Sequence, residues 1–251
     1  MNELRRFGGF SQMTPIVKKL IITNVIVFAA CYFMPDLNIL LSMHYPTSEL
    51  FRPWQLLTHM FMHGSIAHIF LNMLGLFTFG SILERLLGPR RFITLYFLSG
   101  FSAIGLHLAV QFYQVYAQIG SIHLTPDLFL NTEGKRLFFM NGEMTDELLQ
   151  FMTNTKLAAI YLTPLVGASG AIYGLTAGFA YLFPNTELML MFIPFPIKAK
   201  YLVPLVLIVY DLGYGTLGGG DNVAHFAHIG GAIFGFLLVY YWNKTNRNSF
   251  W

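Results

Sequence analysis

Val166-Gly167-Ala168-Ser169-Gly170-Ala171-Ile172-Tyr173-Gly174 is the segment around which the rest of the chain is organised. A serine stands between small residues, after a polar loop and at the head of an apolar run that ends before Pro184. Small neighbours leave its hydroxyl sterically open. A helix starting here offers free backbone N–H groups, and the positive end of its dipole, to a developing oxyanion. Taken alone, Gly-x-Ser-Gly is a common pattern, and the plain reading of a serine at a helix start is an N-cap. The two roles are compatible.

Composition sets the solvent around this stretch. The chain has 251 residues, 55% hydrophobic and only 11% charged, with a mean hydropathy of +0.56. A water-facing domain carries about 25% charged residues. The deficit places the chain in a bilayer, and its long continuous apolar runs make helices the spanning form rather than a barrel. Cys31 is the single cysteine and lies in an apolar run, so there is no disulfide framework. A net charge of +3 spread over loops reads as membrane topology and not as a nucleic-acid footprint. The segment before Thr14 holds Arg5 and Arg6 without an apolar region of its own, so the run after it reads as a retained span rather than a cleaved signal.

Six spans are predicted, over about 17–34, 66–87, 92–112, 169–183, 200–212 and 222–242. Pro35-Asp36 stops the first and Gly88-Pro89-Arg90-Arg91 closes the second. An interfacial apolar segment, Leu188–Ile197, precedes the fifth. The first loop carries Tyr45-Pro46 and Phe51-Arg52-Pro53-Trp54, aromatics suited to an interface. The expected organisation is a short cytoplasmic segment 1–16, a six-span domain 17–243 with an extracytoplasmic insertion loop 113–163, and a cytoplasmic tail 244–251. Eleven of the fifteen basic residues fall in the termini and in the 2–3 and 4–5 connections. Positive-inside then puts both termini in the cytoplasm, in what is expected to be a bacterial inner membrane.

The fourth run has about fifteen residues where about twenty are needed to cross. It therefore starts below the outer surface, with its preceding loop dipping in. Irregular backbone at that depth is tolerated only when buried in protein or lining a water-filled cavity. Ser169 is expected at the floor of a wet cavity open to the extracytoplasmic side.

Two other motifs belong to the same end of the bundle. His228 lies near the outer end of span 6, in Ala227-His228-Ile-Gly-Gly231-x-x-x-Gly235, and ionisable groups within spans point to function. Gly231 and Gly235, with Gly170, Gly174 and Gly178 on span 4, are small residues at i, i+4 that let two helices approach closely. Such packing brings Ser169 and His228 together, so that a neutral imidazole can take the hydroxyl proton. Tyr173, one turn below Ser169, can stack on that imidazole. His68 and Asn72 are i, i+4 on span 2, two side-chain N–H donors that suit an oxyanion hole together with the Ser169 N–H. His63 can support the loop through a second hydrogen bond.

Rival chemistries fare worse. His59 and His63 have i, i+4 metal-ligand spacing, but the stretch has no carboxylate and no His-Glu-x-x-His, so neither a metal nor a cofactor is expected. Tyr210-Asp211 and Gly218-Gly-Gly220-Asp221 superficially match aspartyl-protease signatures, yet both fall in one short loop, and Asp221 reads as a cap for span 6.

With Gly167-Ala-Ser169-Gly170, His68-x-x-x-Asn72, the His228 motif and Glu84 closing span 2, the chain resembles the rhomboid intramembrane serine proteases over about 17–241. The resemblance implies an all-α polytopic fold, a six-transmembrane-helix bundle with a short central helix 4 and a long 3–4 loop. It implies a Ser169–His228 dyad without an aspartate, and an oxyanion site of His68, Asn72 and the Ser169 N–H. Gly167 would hold the loop geometry, Tyr173 would stack on His228 and Glu84 would anchor span 2. The family cleaves single-span membrane proteins near the outer face, so the implied partners are such substrates and the lipid bilayer, with no nucleic acid. Two features depart from the family pattern. Trp54 is followed by Gln55 where the family often has arginine, and the long loop holds an acidic, helix-forming piece, 145–161, with an apolar stripe of Met144, Leu148, Leu149 and Met152. The alternatives are a catalytically inactive rhomboid relative that binds membrane proteins, and a transporter. The first class usually lacks the serine or histidine; the second needs matched broken helices in two halves.

Overall fold

The computed structural model describes residues 13–124, 156–189, 195–207 and 225–245, and these are mostly helical. In chain order they form α1 (Pro15–Phe33), α2 (Asp36–Leu41), α3 (Gln55–Thr58), a 3₁₀ turn (His59–Phe61) and α4 (Ile66–Gly75). A π-helical turn (Leu76–Gly80) leads from α4 into α5 (Ser81–Ile119). Then come α6 (Lys156–Leu162), α7 (Ser169–Leu182), β1 (Glu187–Leu188), β2 (Ile197–Lys198), α8 (Ala199–Val206) and α9 (His225–Thr245). Among the described residues three stretches are long and apolar enough to cross a membrane: Pro15–Phe33, Ile66–Ile119 and His225–Thr245. The middle one breaks at Gly88, whose φ of 78° lies in the left-handed region that glycine tolerates, and Pro89 begins the next helix without needing a backbone donor.

Several expected boundaries move. The helix after Gly88 runs on to Ile119 instead of stopping at Phe112, because nothing between them breaks it; Gly120, left-handed with φ 69°, caps it by donating to Tyr116 O. Falling hydropathy did not mark where the helix ends. The ends of the interfacial segment 188–197 pair as a two-residue antiparallel ladder, Glu187 with Lys198 and Leu188 with Ile197. Of the helix expected over 145–161, only the part from Lys156 is described; Met144, Leu148, Leu149 and Met152 lie outside the described residues, as do Asp211, Asp221 and the expected span 6 start at Asn222.

α7 packs mainly against α9 and α5. The glycines make this possible: a Cβ on Gly231 would strike the Gly170 carbonyl, and one on Gly235 would strike the Gly174 backbone. Around this centre the core holds Phe92, Tyr96 and Phe179, fully buried, while Ile26, Tyr32, Phe33 and Ile233 face outward. An apolar exterior of this kind is stable only against lipid.

Glu84 ties α1 to this core. The Thr14 hydroxyl donates to its Oε2, the Val17 N–H to the same oxygen at 3.0 Å, and the Ile16 N–H to Oε1 at 3.1 Å. A carboxylate on α5 thus takes the N-terminal donors of α1, where an anion is favoured.

Gln55 organises the first loop. Fully buried, it accepts from the His44 and Arg52 N–H groups and donates to the carbonyls of Ile39, Leu40 and Leu50. A neutral amide thus holds the loop at a position where the family often has arginine. Gln55→Ala leaves those backbone groups unpaired and is expected to destabilise the protein by about 2–4 kcal/mol, read as a lowered unfolding midpoint in detergent.

Candidate active site

The loop before α7 has irregular backbone, and its polar groups are satisfied by the first loop. Met43 and Leu165 exchange both backbone hydrogen bonds, at 3.0 and 2.8 Å, and the Gly167 N–H donates to His59 O at 2.9 Å. His59 is itself held, with Nδ1 2.8 Å from Gln55 O, and burial pushes its imidazole down to about 4. Gly167 has φ +124°, strained for any side chain, and a Cβ there would lie 2.9 Å from His68 Nε2. These contacts deliver the chain to Ser169 as the first residue of α7.

Here the N-cap reading fails. The cap residue is Ala168, no side chain caps the helix, and the Ser169 hydroxyl lies 2.9 Å from His228 Nε2. With Nε2 unprotonated, the hydroxyl donates to it. The glycine contacts between α7 and α9 set this separation. Tyr173 lies against the other partner: its ring and that of His228 are stacked, centroids 4.2 Å apart and planes 6° from parallel. Stacking fixes the imidazole plane while leaving its edge to the serine.

The second face of the site comes from α4. Ser65 caps that helix by accepting from the His68 N–H at 3.1 Å, which places His68 in the first turn. The Gly64 N–H donates to His68 Nδ1 at 3.4 Å. With Nδ1 accepting, the ring proton of neutral His68 sits on Nε2, the edge that faces Gly167. One turn on, the Asn72 amide donates to His68 O at 3.0 Å. That uses one of its two N–H groups and leaves the other for the cavity. His63 packs edge-on to His68, ring centroids 5.1 Å apart, and is buried without a hydrogen-bond partner for either ring nitrogen among the described residues. Desolvation, reinforced by His68, pushes His63 down to about 4, so it is neutral at physiological pH and puts no cation beside His68.

Ser169, His228, Tyr173, His68 and Asn72 all line one cavity of about 660 Å³, closed on its other side by Thr163, Pro164, Leu165 and Val166. The arrangement can deprotonate a hydroxyl and stabilise an anion formed beside it, from the first N–H groups of α7 and the side chains of α4. Among the described residues no group of three or more histidine, cysteine or acidic side chains is placed to hold a metal ion. Sequence reasoning missed Gln55, Gly64, Ser65 and the His59 carbonyl as parts of this framework. Only Ser65-x-x-His68 carried a signal, the spacing of an N-cap to its third residue.

Comparison with known proteins places the chain. A family model described as the rhomboid domain matches residues 50–122 and 134–244. An uncharacterized mitochondrial rhomboid protein of Schizosaccharomyces pombe is 29% identical, over 78% of this chain and 53% of that protein. RHOMBOID-like protein 4 of Arabidopsis thaliana is 32% identical, over 74% of this chain and 33% of its own length. Rhomboid protease AarA of Providencia stuartii is 29% identical, over 74% and 54%. The chain thus spans between a third and about half the length of these relatives. They come from mitochondria as well as bacteria, so the expected bacterial inner membrane has no support from them; an integral membrane protein does. With a domain match covering most of its residues, this chain belongs to the rhomboid family.

Proposed function

We propose that this protein is an intramembrane serine endopeptidase that hydrolyses peptide bonds in or near the membrane segments of single-span proteins, using Ser169 as nucleophile and His228 as general base. The observation that carries the reading is the 2.9 Å approach of Ser169 Oγ to His228 Nε2 inside the cavity that His68 and Asn72 also line. His228 takes the hydroxyl proton as Oγ attacks the scissile carbonyl. The oxyanion is met by His68 Nε2–H, the free Asn72 N–H and the Ser169 backbone N–H. The imidazolium then protonates the leaving amine, and water, deprotonated by the same imidazole, releases the acyl-enzyme. Tyr173 keeps the ring in plane through both halves, Gly167 gives the loop its turn, and His63 packs behind His68.

The proposal includes six spans within 17–243 and a basic face turned to the cytoplasm or its equivalent compartment, supported by the skewed placement of Lys and Arg. A relative named as a protease, AarA, supports the reaction class. A serine-directed fluorophosphonate is expected to label the wild type and leave Ser169→Ala unlabelled. Equal labelling of both would remove Ser169 as the nucleophile.

Gly167→Ala is expected to lower kcat for a model single-span substrate about 10²-fold and to cost about 1–3 kcal/mol of stability, read as a lowered unfolding midpoint. It strains the turn and drives a methyl against His68 Nε2, displacing donors whose position matters to a fraction of an ångström.

A further inference from the structure

At the end of the bundle away from Ser169, a second cavity of about 460 Å³ opens between α7, α8 and α9. Its walls are almost wholly apolar, from Ala177 and Ala180 on α7, Pro204 and Leu207 on the α8 side, and Ile233 and Leu237 on α9. Tyr181 closes one wall and is held rigidly: its hydroxyl accepts from Asn243 Nδ2 at 3.0 Å and its ring meets Phe236 and Tyr240 edge-on. One charged group stands among the lining residues, Lys200, which is exposed, with its ammonium 5.1 Å above the Tyr201 ring.

Other basic residues stand on elements that reach the same end of the bundle. Arg91 lies over the Trp242 ring at the end of α9, Lys244 lies over Tyr240, and Lys198 and Arg90 are exposed nearby in the fold's same end. Against them stand two described acids: Glu187, across the ladder from Lys198, and Glu84, engaged with the start of α1. The cleft therefore pairs an apolar slot with a lysine at its mouth.

We propose that this cleft binds one anionic phospholipid, an acyl chain lying in the slot and the phosphate meeting Lys200. A methylene occupies about the volume of a water, ~30 Å³, so the slot takes roughly fifteen, the better part of a chain. A basic pocket between helices at the headgroup level selects anionic over zwitterionic heads. The site is independent of the protease reading, since none of its lining residues takes part in the dyad or the oxyanion hole.

The test titrates purified protein in mild detergent with palmitoyl-oleoyl phosphatidylglycerol or phosphatidylcholine and counts bound lipid by native mass spectrometry. Wild type is expected to bind its first phosphatidylglycerol at least about fivefold tighter than phosphatidylcholine, Lys200→Arg to keep that ratio, and Lys200→Glu to bring it to parity. Ile233→Trp, at an outward-facing position that leaves the core alone, is expected to reduce the first-bound species of both lipids. Equal binding of the two lipids by wild type, or a ratio unchanged in Lys200→Glu, would overturn the headgroup assignment. Undiminished binding by a folded Ile233→Trp would overturn the slot.

Discussion

Ser169→Ala is expected to abolish cleavage of a model single-span substrate in detergent, with kcat falling on the order of 10⁴- to 10⁶-fold while the unfolding midpoint holds. His228→Ala should do the same. Their separate losses should not add: the double variant is expected to be no slower than either single one, because serine without base, and base without serine, perform no chemistry. The hydroxyl points to the imidazole and caps nothing, so its removal costs the helix no hydrogen bond. Cleavage persisting in Ser169→Ala, or an additive double variant, would show that the two side chains do not work as a unit. The same assay separates this protein from an inactive rhomboid relative, which would give no serine-dependent product at all.

The second large effect is expected at α4. His68→Ala and Asn72→Ala should each lower kcat about 10²- to 10³-fold and change KM little, because a donor aimed at an oxyanion acts on a charge that exists only in the transition state. The two need not lose equally. His68 presents Nε2–H beside Gly167, while Asn72 already spends one N–H on the His68 carbonyl. His68→Gln, which keeps an N–H donor of similar reach on a more flexible chain, should fall between wild type and His68→Ala. A rise in KM with kcat unchanged would recast these residues as ground-state binders.

The membrane character of the chain was legible in its charge deficit, and the break at Gly88-Pro89 in two residues that few helices pass through. The meeting of Ser169 and His228 was legible in the i, i+4 glycines, since small residues at that spacing leave few other ways to pack α7 and α9. What stayed hidden is of a different kind. Gln55 reads from sequence as a substitution for arginine and nothing more; its five backbone partners come from positions 39 to 52, a convergence no local pattern encodes. Glu84 closes its own span in the sequence and proves to hold the start of α1. The extra turns of α5 past Phe112 were missed because hydropathy reports depth in lipid and is silent on backbone geometry.

The glycine seam between α7 and α9 has a mechanical meaning. These two helices rest backbone on backbone, with the Gly170 and Gly174 carbonyls against Gly231 and Gly235. Backbone has no rotamers to yield. The seam acts as a gauge block: the gap between hydroxyl and imidazole is set by a contact that no side-chain rearrangement can widen or close.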